Sequence, residues 1–238
     1  MEFIMNIAII TARGGSKRIP RKNIKNFCGQ PIISYSIKAA LDSGIFDEVM
    51  VSTDDEEIAD LSRELGASVP FLRSRKNSDD YAATADVLLE VLQKYKETGK
   101  IFENICCIYP TAPFVTKQKL MAAWEFFNRE KFDSVMPVVK YSFPPYRSLF
   151  FKNGKVAPKS PEHYLKRSQD LDPLYHDCGQ FYLIEAKVFL EKKSLLTENT
   201  APFILPETEV QDIDTEEDWK LAECKYKLMI EEREKSRA

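Results

Sequence analysis

Two stretches of this chain carry residues whose types and spacing suit phosphate and metal chemistry. The first, Ala12-Arg13-Gly14-Gly15-Ser16-Lys17-Arg18-Ile19-Pro20-Arg21-Lys22-Asn23, gathers five cationic side chains around two adjacent glycines and a serine, and no acidic residue occurs between Glu2 and Asp42. Glycines let successive N–H groups turn toward one point. Arg13, Lys17, Arg18, Arg21 and Lys22 supply charge-assisted donors around that point, so the loop reads as a cradle for phosphate. The second stretch is Gln211-Asp212-Ile213-Asp214-Thr215. In extended backbone Asp212 and Asp214 face the same way with Cα atoms roughly 6 to 7 Å apart, near enough for both to reach one hydrated Mg²⁺ directly or through its water. The plainer role for Asp214 is a helix cap, which Thr215 could also supply.

Several classes fall away on the same residues. Basic clusters often mark nucleic-acid surfaces, but those come with a basic domain, and this chain has a formal net charge of -3. No nucleic-acid partner is expected. There is no G-x-x-x-x-G-K-[ST], and Gly14-Gly15 does not complete G-x-G-x-x-G, so neither a P-loop ATPase nor a dinucleotide-binding oxidoreductase is supported. Asp-x-Asp also begins the nucleophile motif of haloacid-dehalogenase-type phosphatases. There it stands near the start, whereas here only residues 215–238 follow it.

The 238 residues, 44% of them hydrophobic, suffice for one domain with an insertion or for one large and one small domain. No apolar run approaches the ~20 residues of a membrane span, and the short N-terminal apolar stretch lacks a basic flank and leads directly into the loop. A cytoplasmic protein without a membrane partner is expected. Five cysteines with no C-x-x-C pair read as free buried thiols, and two histidines exclude a histidine-rich metal centre. Either Met1 or Met5 can be the natural start.

The elements that must position these residues follow a βα rhythm. A β-branched run, Ile7 to Ile10, delivers the loop. Pro31 reads as the first residue of a helix with Ile33, Ile37, Ala40 and Leu41 on one face and Gly44 at its end. A strand over Glu48 to Thr53 is followed by a helix capped by Asp54 or Asp55 and running to Leu65, then by a third strand over Ser68 to Phe71. Residues 72–83, with Arg73, Asp79 and Asp80, form an irregular segment on the ligand face. A helix with Val87, Leu88, Val91, Leu92 and Tyr95 comes next. Asn104 to Tyr109 reads as a strand ending in the rigid turn Pro110-Thr111-Ala112-Pro113, Thr116 caps another helix, and Ser134 to Lys140 is the next strand. The rhythm breaks between Tyr141 and Asp177, where no clean helix is expected and Asn153-Gly154 predicts a hairpin. Strand returns at Gln180 to Ile184, a short helix spans Ala186 to Lys193, and Phe203 to Leu205 is extended. Thr215-Glu216-Glu217-Asp218 opens the last helix as a capping box. This pattern predicts a three-layer α/β/α fold around a mostly parallel, Rossmann-like sheet, with ligands at the carboxyl ends of the strands. The predicted division is a main domain of residues 1–140 and 179–238 with an inserted β-rich segment of residues 141–178.

The segment Ala12 to Asn23 resembles the signature loop of the CMP-sialic acid synthetases, the cytidylyltransferases that activate acidic eight- and nine-carbon sugars, and the likeness continues through most of the chain. It implies a nucleotide-diphospho-sugar transferase-like fold and a reaction in which the anomeric hydroxyl of an acidic nine-carbon sugar attacks the α-phosphorus of CTP and releases diphosphate. Arg13, Lys17 and Lys22 would neutralise the phosphates, Ala12, Gly14, Gly15, Ser16, Asn23 and Arg73 would complete the nucleotide site, and Asp212 and Asp214 would hold Mg²⁺. The acceptor sugar would be read by Tyr109, Arg167, Gln169, Tyr175, His176, Asp177, Gln180 and Tyr182, with Arg167 the natural bidentate partner of its carboxylate. The runs Arg167 to Leu171 and Tyr175 to Tyr182 resemble the pseudaminic acid branch. Tyr109 before Pro110-Thr111-Ala112-Pro113 departs from the glutamine common in the neuraminic acid branch, and Thr11 stands where proline is common. The resemblance further implies a homodimer built through the inserted segment, with Arg167 acting in trans. A sibling synthetase of legionaminic or N-acetylneuraminic acid shares every loop argument, and a nucleotide-binding regulator without turnover is the reading from a different class.

Overall fold

The computed structural model describes residues 5–79 and 81–235. Met1 to Ile4, the alternative start, and Asp80 of the irregular segment lie outside the described residues. The chain runs through β1 (Asn6–Thr11), a two-residue pair β2 (Asn26–Phe27) and β3 (Gln30–Pro31), α1 (Ile33–Ser43), β4 (Glu48–Ser52), α2 (Glu56–Glu64) and α3 (Thr84–Glu97). It continues with β5 (Asn104–Ile108), α4 (Lys117–Glu130) and β6 (Ser134–Lys140). A hairpin of β7 (Leu149–Lys152) and β8 (Lys155–Pro158) follows, then the single turn α5 (Pro161–Tyr164) and β9 (Tyr175–Asp177). Last come β10 (Phe181–Glu185), α6 (Ala186–Lys192), β11 (Thr200–Ile204) and α7 (Glu216–Lys235).

The central sheet has the order β11-β6-β10-β5-β1-β4, with β9 paired to β6. β4, β1 and β5 are mutually parallel, β11 runs parallel to β6, and β10 lies antiparallel between β5 and β6. Alternation along β1 sorts the core into two layers. Ala8 and Ile10 pack with Ile33 and Ile37 of α1, Ile58 of α2 and Leu120 of α4 on one face. Ile7 and Ile9 meet Leu88, Val91 and Tyr95 of α3 and Phe189 of α6 on the other. Strands buried on both faces read as continuous apolar runs, and that is the composition of Ile7 to Ile10 and Ile105 to Ile108. α7 closes a third cluster, where Trp219, Ala222 and Met229 cover Ile19, Phe27, Ile32, Tyr35 and Phe114.

Two expectations are corrected. Ser68 to Phe71 is not a strand: only one parallel bridge, Met50 to Ser68, forms. Pro70 offers no N–H to continue the ladder, and the chain peels away until the Arg73 N–H donates to Thr53 O at 2.7 Å. Pro31 does not open α1; it belongs to the β2–β3 pair, and the helix starts at Ile33. The hairpin turn does form at Asn153 (φ 51°) and Gly154 (φ 73°), two successive left-handed residues as a type I′ turn requires. β9, within the segment read as an insertion, joins the main sheet.

Candidate active site

β1 lies between β4 and β5, so the chain leaves β1 in one direction for β4 and later returns to its other side. Such a reversal opens a crevice at the carboxyl ends of the strands. A cavity of about 500 Å³ fills it, reached by Thr11 at the end of β1 and by Tyr109, Pro110 and Thr111 after β5. Its lining is basic where Arg13, Ser16, Lys17, Arg18 and Lys22 stand together with Asn23. Asp212 and Asp214 line the same cavity. Arg73, Asn77, Asp79, Ala82, Thr84 and Val87 complete the lining.

The loop from Ala12 to Asn23 is held from outside rather than by itself. The Gly14 N–H donates to Asp54 Oδ1 at 2.9 Å, and a Cβ on Gly14 would lie 2.7 Å from Asp55 Oδ2, so this position is glycine because α2's cap approaches it closely. Gly15 has open space around it, neither glycine has a positive φ, and neither lines the cavity. The expectation that both N–H groups turn toward one phosphate is therefore corrected. Arg21 is also corrected: it leaves the phosphate face, clasps Asp55 through Nη1 at 2.5 Å and Nη2 at 3.0 Å, and reaches Glu57. The Arg21 guanidinium first, and the Ile58 N–H among further donors, hold the Asp55 carboxyl below its usual range against the effect of burial. Asp55, read in the sequence only as a possible cap, does cap α2, accepting from Ile58 N at 3.0 Å.

Lys22 connects the two motifs. Its Nζ donates to Ile213 O at 2.6 Å, between the two aspartates, and lies 3.6 Å from Asp214 Oδ1, while Arg18 Nη2 reaches Asp214 Oδ1 at 2.7 Å. Asn23 is buried and donates to Arg13 O at 2.8 Å, and Arg13 Nη1 donates to Asp79 O at 2.9 Å. The Asp212 carboxyl opens on the cleft yet is pushed above its usual range, by desolvation first and by the Asp214 charge second. Two crowded carboxylates facing a phosphate-sized basic wall are an oxygen donor set that suits a hard divalent cation such as Mg²⁺. The capping box forms with Asp218, which accepts from Thr215 N at 2.8 Å while Thr215 Oγ1 accepts from Asp218 N at 3.2 Å, so Asp214 is not needed as the cap.

Arg73 is 8% exposed, and its Nε donates to Ser52 Oγ at 3.0 Å, with Nη2 on Ser52 O. Burial lowers its pKa to about 10, so it stays cationic at neutral pH. Tyr109 lines the cavity beside Thr84 (Oη to Oγ1 3.3 Å) and is buttressed edge-on by Tyr182, ring centres 5.6 Å apart.

The residues read as sugar contacts separate into four groups. Tyr109 is in the cavity wall. Tyr182 and Gln180 are buried behind it: Tyr182 Oη donates to Asp177 Oδ2 at 2.7 Å, and Gln180 Nε2 donates to Glu209 O at 2.8 Å. Asp177 also accepts the Gly179 N–H at 2.8 Å. His176 lines a neighbouring hollow of about 430 Å³ that shares Asp212 and Asp214 with the first. Arg167, Gln169 and Tyr175 are exposed and outside both walls, and Arg167 is paired with Asp170 at 2.8 and 3.0 Å. Sequence reasoning missed Glu90 of α3, whose carboxylate accepts from Ser74 N at 2.8 Å, Ser74 Oγ at 2.6 Å and Asn77 Nδ2 at 2.5 Å. Glu90 lies outside the apolar stripe of Val87, Leu88, Val91, Leu92 and Tyr95, so the helical periodicity carried no signal for it.

The fold and the cavity define an α/β nucleotidyltransferase. Solved structures agree on the fold: a CMP:2-keto-3-deoxy-manno-octonic acid synthetase complexed with CTP superposes with a TM-score of 0.69 over 96% of this chain and 99% of its own, at 17% identity. The family described as Cytidylyltransferase matches residues 7–217, and the chain belongs to it. Among its relatives, the pseudaminic acid cytidylyltransferase of Campylobacter jejuni is 42% identical over 94% of this chain and 97% of its own length. The CMP-N,N'-diacetyllegionaminic acid synthase of Legionella pneumophila is 35% identical over 91% and 94%.

Proposed function

We propose that this chain is a pseudaminic acid cytidylyltransferase, converting CTP and pseudaminic acid to CMP-pseudaminic acid and diphosphate with Mg²⁺. The observation that carries the reading is the meeting of the basic loop and the Asp-x-Asp pair on one cavity, joined by Lys22 at Ile213 O. Arg13, Lys17 and Lys22 bind the triphosphate and neutralise charge as it moves to the leaving diphosphate. Asp212 and Asp214 hold the Mg²⁺, which supplies further neutralisation of phosphate oxygens. Arg73 and the segment after it receive the nucleoside, and Tyr109, set by Tyr182, faces the sugar. The C. jejuni and L. pneumophila relatives favour a nonulosonic acid acceptor, the higher identity favours pseudaminic acid, and so does tyrosine at position 109.

The finer assembly is part of the proposal. Phe143, Phe151 and Leu165 of the inserted segment are 87%, 85% and 90% exposed, an apolar surface that suits a homodimer. In such a dimer Arg167, outside its own cavity, reaches the partner's sugar carboxylate. A cytoplasmic location fits five free cysteines, and no described helix is long and apolar enough to cross a membrane.

Diphosphate release with CTP, Mg²⁺ and each of pseudaminic, legionaminic and N-acetylneuraminic acids tests the reaction, with ATP, GTP and UTP as controls. Release with pseudaminic acid alone supports the full reading. Release only with another sugar keeps the chemistry and overturns the acceptor. Asp212→Asn retaining both turnover and CTP binding would refute the role of the acid pair.

A further inference from the structure

We infer that Glu90 is a positioning residue for the nucleotide, fixing the nucleoside end of the cavity from behind. The inference rests on the nucleotidyltransferase reading of that cavity. With the basic loop taking the phosphates, Arg73, Asn77, Asp79 and Thr84 are left on the lining of the same cavity for the base and ribose. Except for Thr84, these residues sit on the segment between α2 and α3, which is in no strand of the sheet and so has no backbone ladder to hold it.

Besides the Arg73 N–H on Thr53 O and the Arg73 side chain on Ser52, one face of α3 holds it. Glu90 Oε1 accepts from Ser74 N at 2.8 Å, and Glu90 Oε2 accepts from Ser74 Oγ at 2.6 Å and Asn77 Nδ2 at 2.5 Å. One turn on, Lys94 Nζ donates to Leu72 O at 2.9 Å, lies 4.6 Å from the Phe71 ring centre and pairs with Glu90 at 3.0 Å. Arg73 is thus bracketed: the residue before it is tied to Lys94 and the residue after it to Glu90. Asn77, a wall residue, is oriented by the same carboxylate. Farther along, Asp79 O accepts from Arg13, so the segment's placement is passed to the phosphate loop. The Glu90 side chain is only 12% exposed, and with four donors aimed at it, its replacement by alanine leaves those donors without their acceptor.

The test is a kinetic split with CTP and sugar varied separately, run on Glu90→Gln, Glu90→Asp and Glu90→Ala. The KM for CTP should rise roughly tenfold in Glu90→Ala and less in Glu90→Asp, while kcat and the sugar KM stay within about twofold. Calorimetric CTP binding should weaken in the same order, a readout independent of turnover and therefore of the identity of the acceptor. Should Glu90→Ala not fold, Ser74→Ala removes one donor from the far side and leaves the charge pair with Lys94; a rise of roughly two- to threefold in the CTP constant is expected. Unchanged CTP constants in the folded variants, or equal losses in kcat and both KM values, would overturn the assignment. A wild-type protein that binds CTP but never releases diphosphate would refute the enzyme reading while leaving the binding comparison to decide Glu90.

Discussion

Gly14→Ala and Gly15→Ala should behave as opposites although the two residues are neighbours in the same loop. An added methyl at Gly14 meets Asp55 Oδ2 at 2.7 Å and Asp55 Cβ at 2.9 Å, whereas at Gly15 nothing lies within 4 Å. Asp55 cannot swing aside freely, because it caps α2 through Ile58 N and holds Arg21 by two bonds. Relief to an ordinary contact of 3.4 Å requires a retreat of roughly 0.7 Å (3.4 minus 2.7), shared between the cap and the loop. If the cap yields, the loss is about 1 kcal/mol for the N-cap and about as much again for the Arg21 contact. If the loop yields, Arg13 and Lys17 move from their phosphate positions, and misplacement on the order of 1 Å can cost roughly 100-fold in rate. Gly14→Ala should therefore either melt several degrees lower or release diphosphate at least about tenfold more slowly, and Gly15→Ala should do neither. Thermal melts and diphosphate release on both variants decide it. Matching behaviour of the two would refute the argument that Asp55 dictates the glycine.

Three further outcomes are expected. Desolvation, the largest single influence on Glu90, pushes its carboxyl up, but the Ser74 hydroxyl and N–H, Lys94 and Asn77 together outweigh it and hold it down at about 2, against 4.5 for an ordinary glutamate. A depressed carboxylate stabilises the fold fully above its unfolded pKa and loses that contribution as pH falls through the folded one, so about 3 kcal/mol should vanish between roughly pH 5 and pH 2. Urea unfolding at pH 6 and pH 3 should show about 2 kcal/mol of this loss in wild type and a smaller loss in Glu90→Gln. Arg21→Gln should cost about 1 kcal/mol, since Arg21 is partly exposed, and should leave the CTP KM nearly unchanged, whereas Lys22→Gln should raise it severalfold; comparable KM effects would return Arg21 to the phosphate face. Phe151→Glu together with Val156→Glu should shift the molar mass seen by light scattering from dimer toward monomer, and an unchanged mass would remove the hairpin from the interface.

The strongly patterned parts of the chain were legible. Runs such as Ile7 to Ile10 and the helices over α2, α3 and α4 state their burial in their spacing, and Asn153-Gly154 states its turn. Ser68 to Phe71 misled because its apolar residues are real core, yet Pro70 cannot extend a ladder. Arg21 misled for a different reason: charge along the loop was visible, but the acids that claim this arginine lie 34 and 36 residues downstream. Arg167 and Gln169 could be recognised by type, while their distance from the cavity depends on how residues 141–178 are carried. Glu90 carries its meaning only through Ser74 and Asn77, partners 13 to 16 residues away on an irregular segment, and no periodicity encodes such a bond.

The antiparallel strand β10 gives the molecule an order of assembly. β5 and β6 both precede it in the chain and do not pair with each other; β10 is the strand that joins them. Until Phe181 to Glu185 has been made and inserted, the chain holds two partial sheets with bare edges, each able to pair with the wrong partner. The same insertion brings Gln180 O to the Tyr109 N–H and Tyr182 against the Tyr109 ring, so the wall facing the acceptor becomes rigid in the event that closes the sheet. Residues 141–178 are the leash on which that keystone arrives. Lengthening or stiffening the leash would slow the closing of the sheet, even at sites that touch neither substrate.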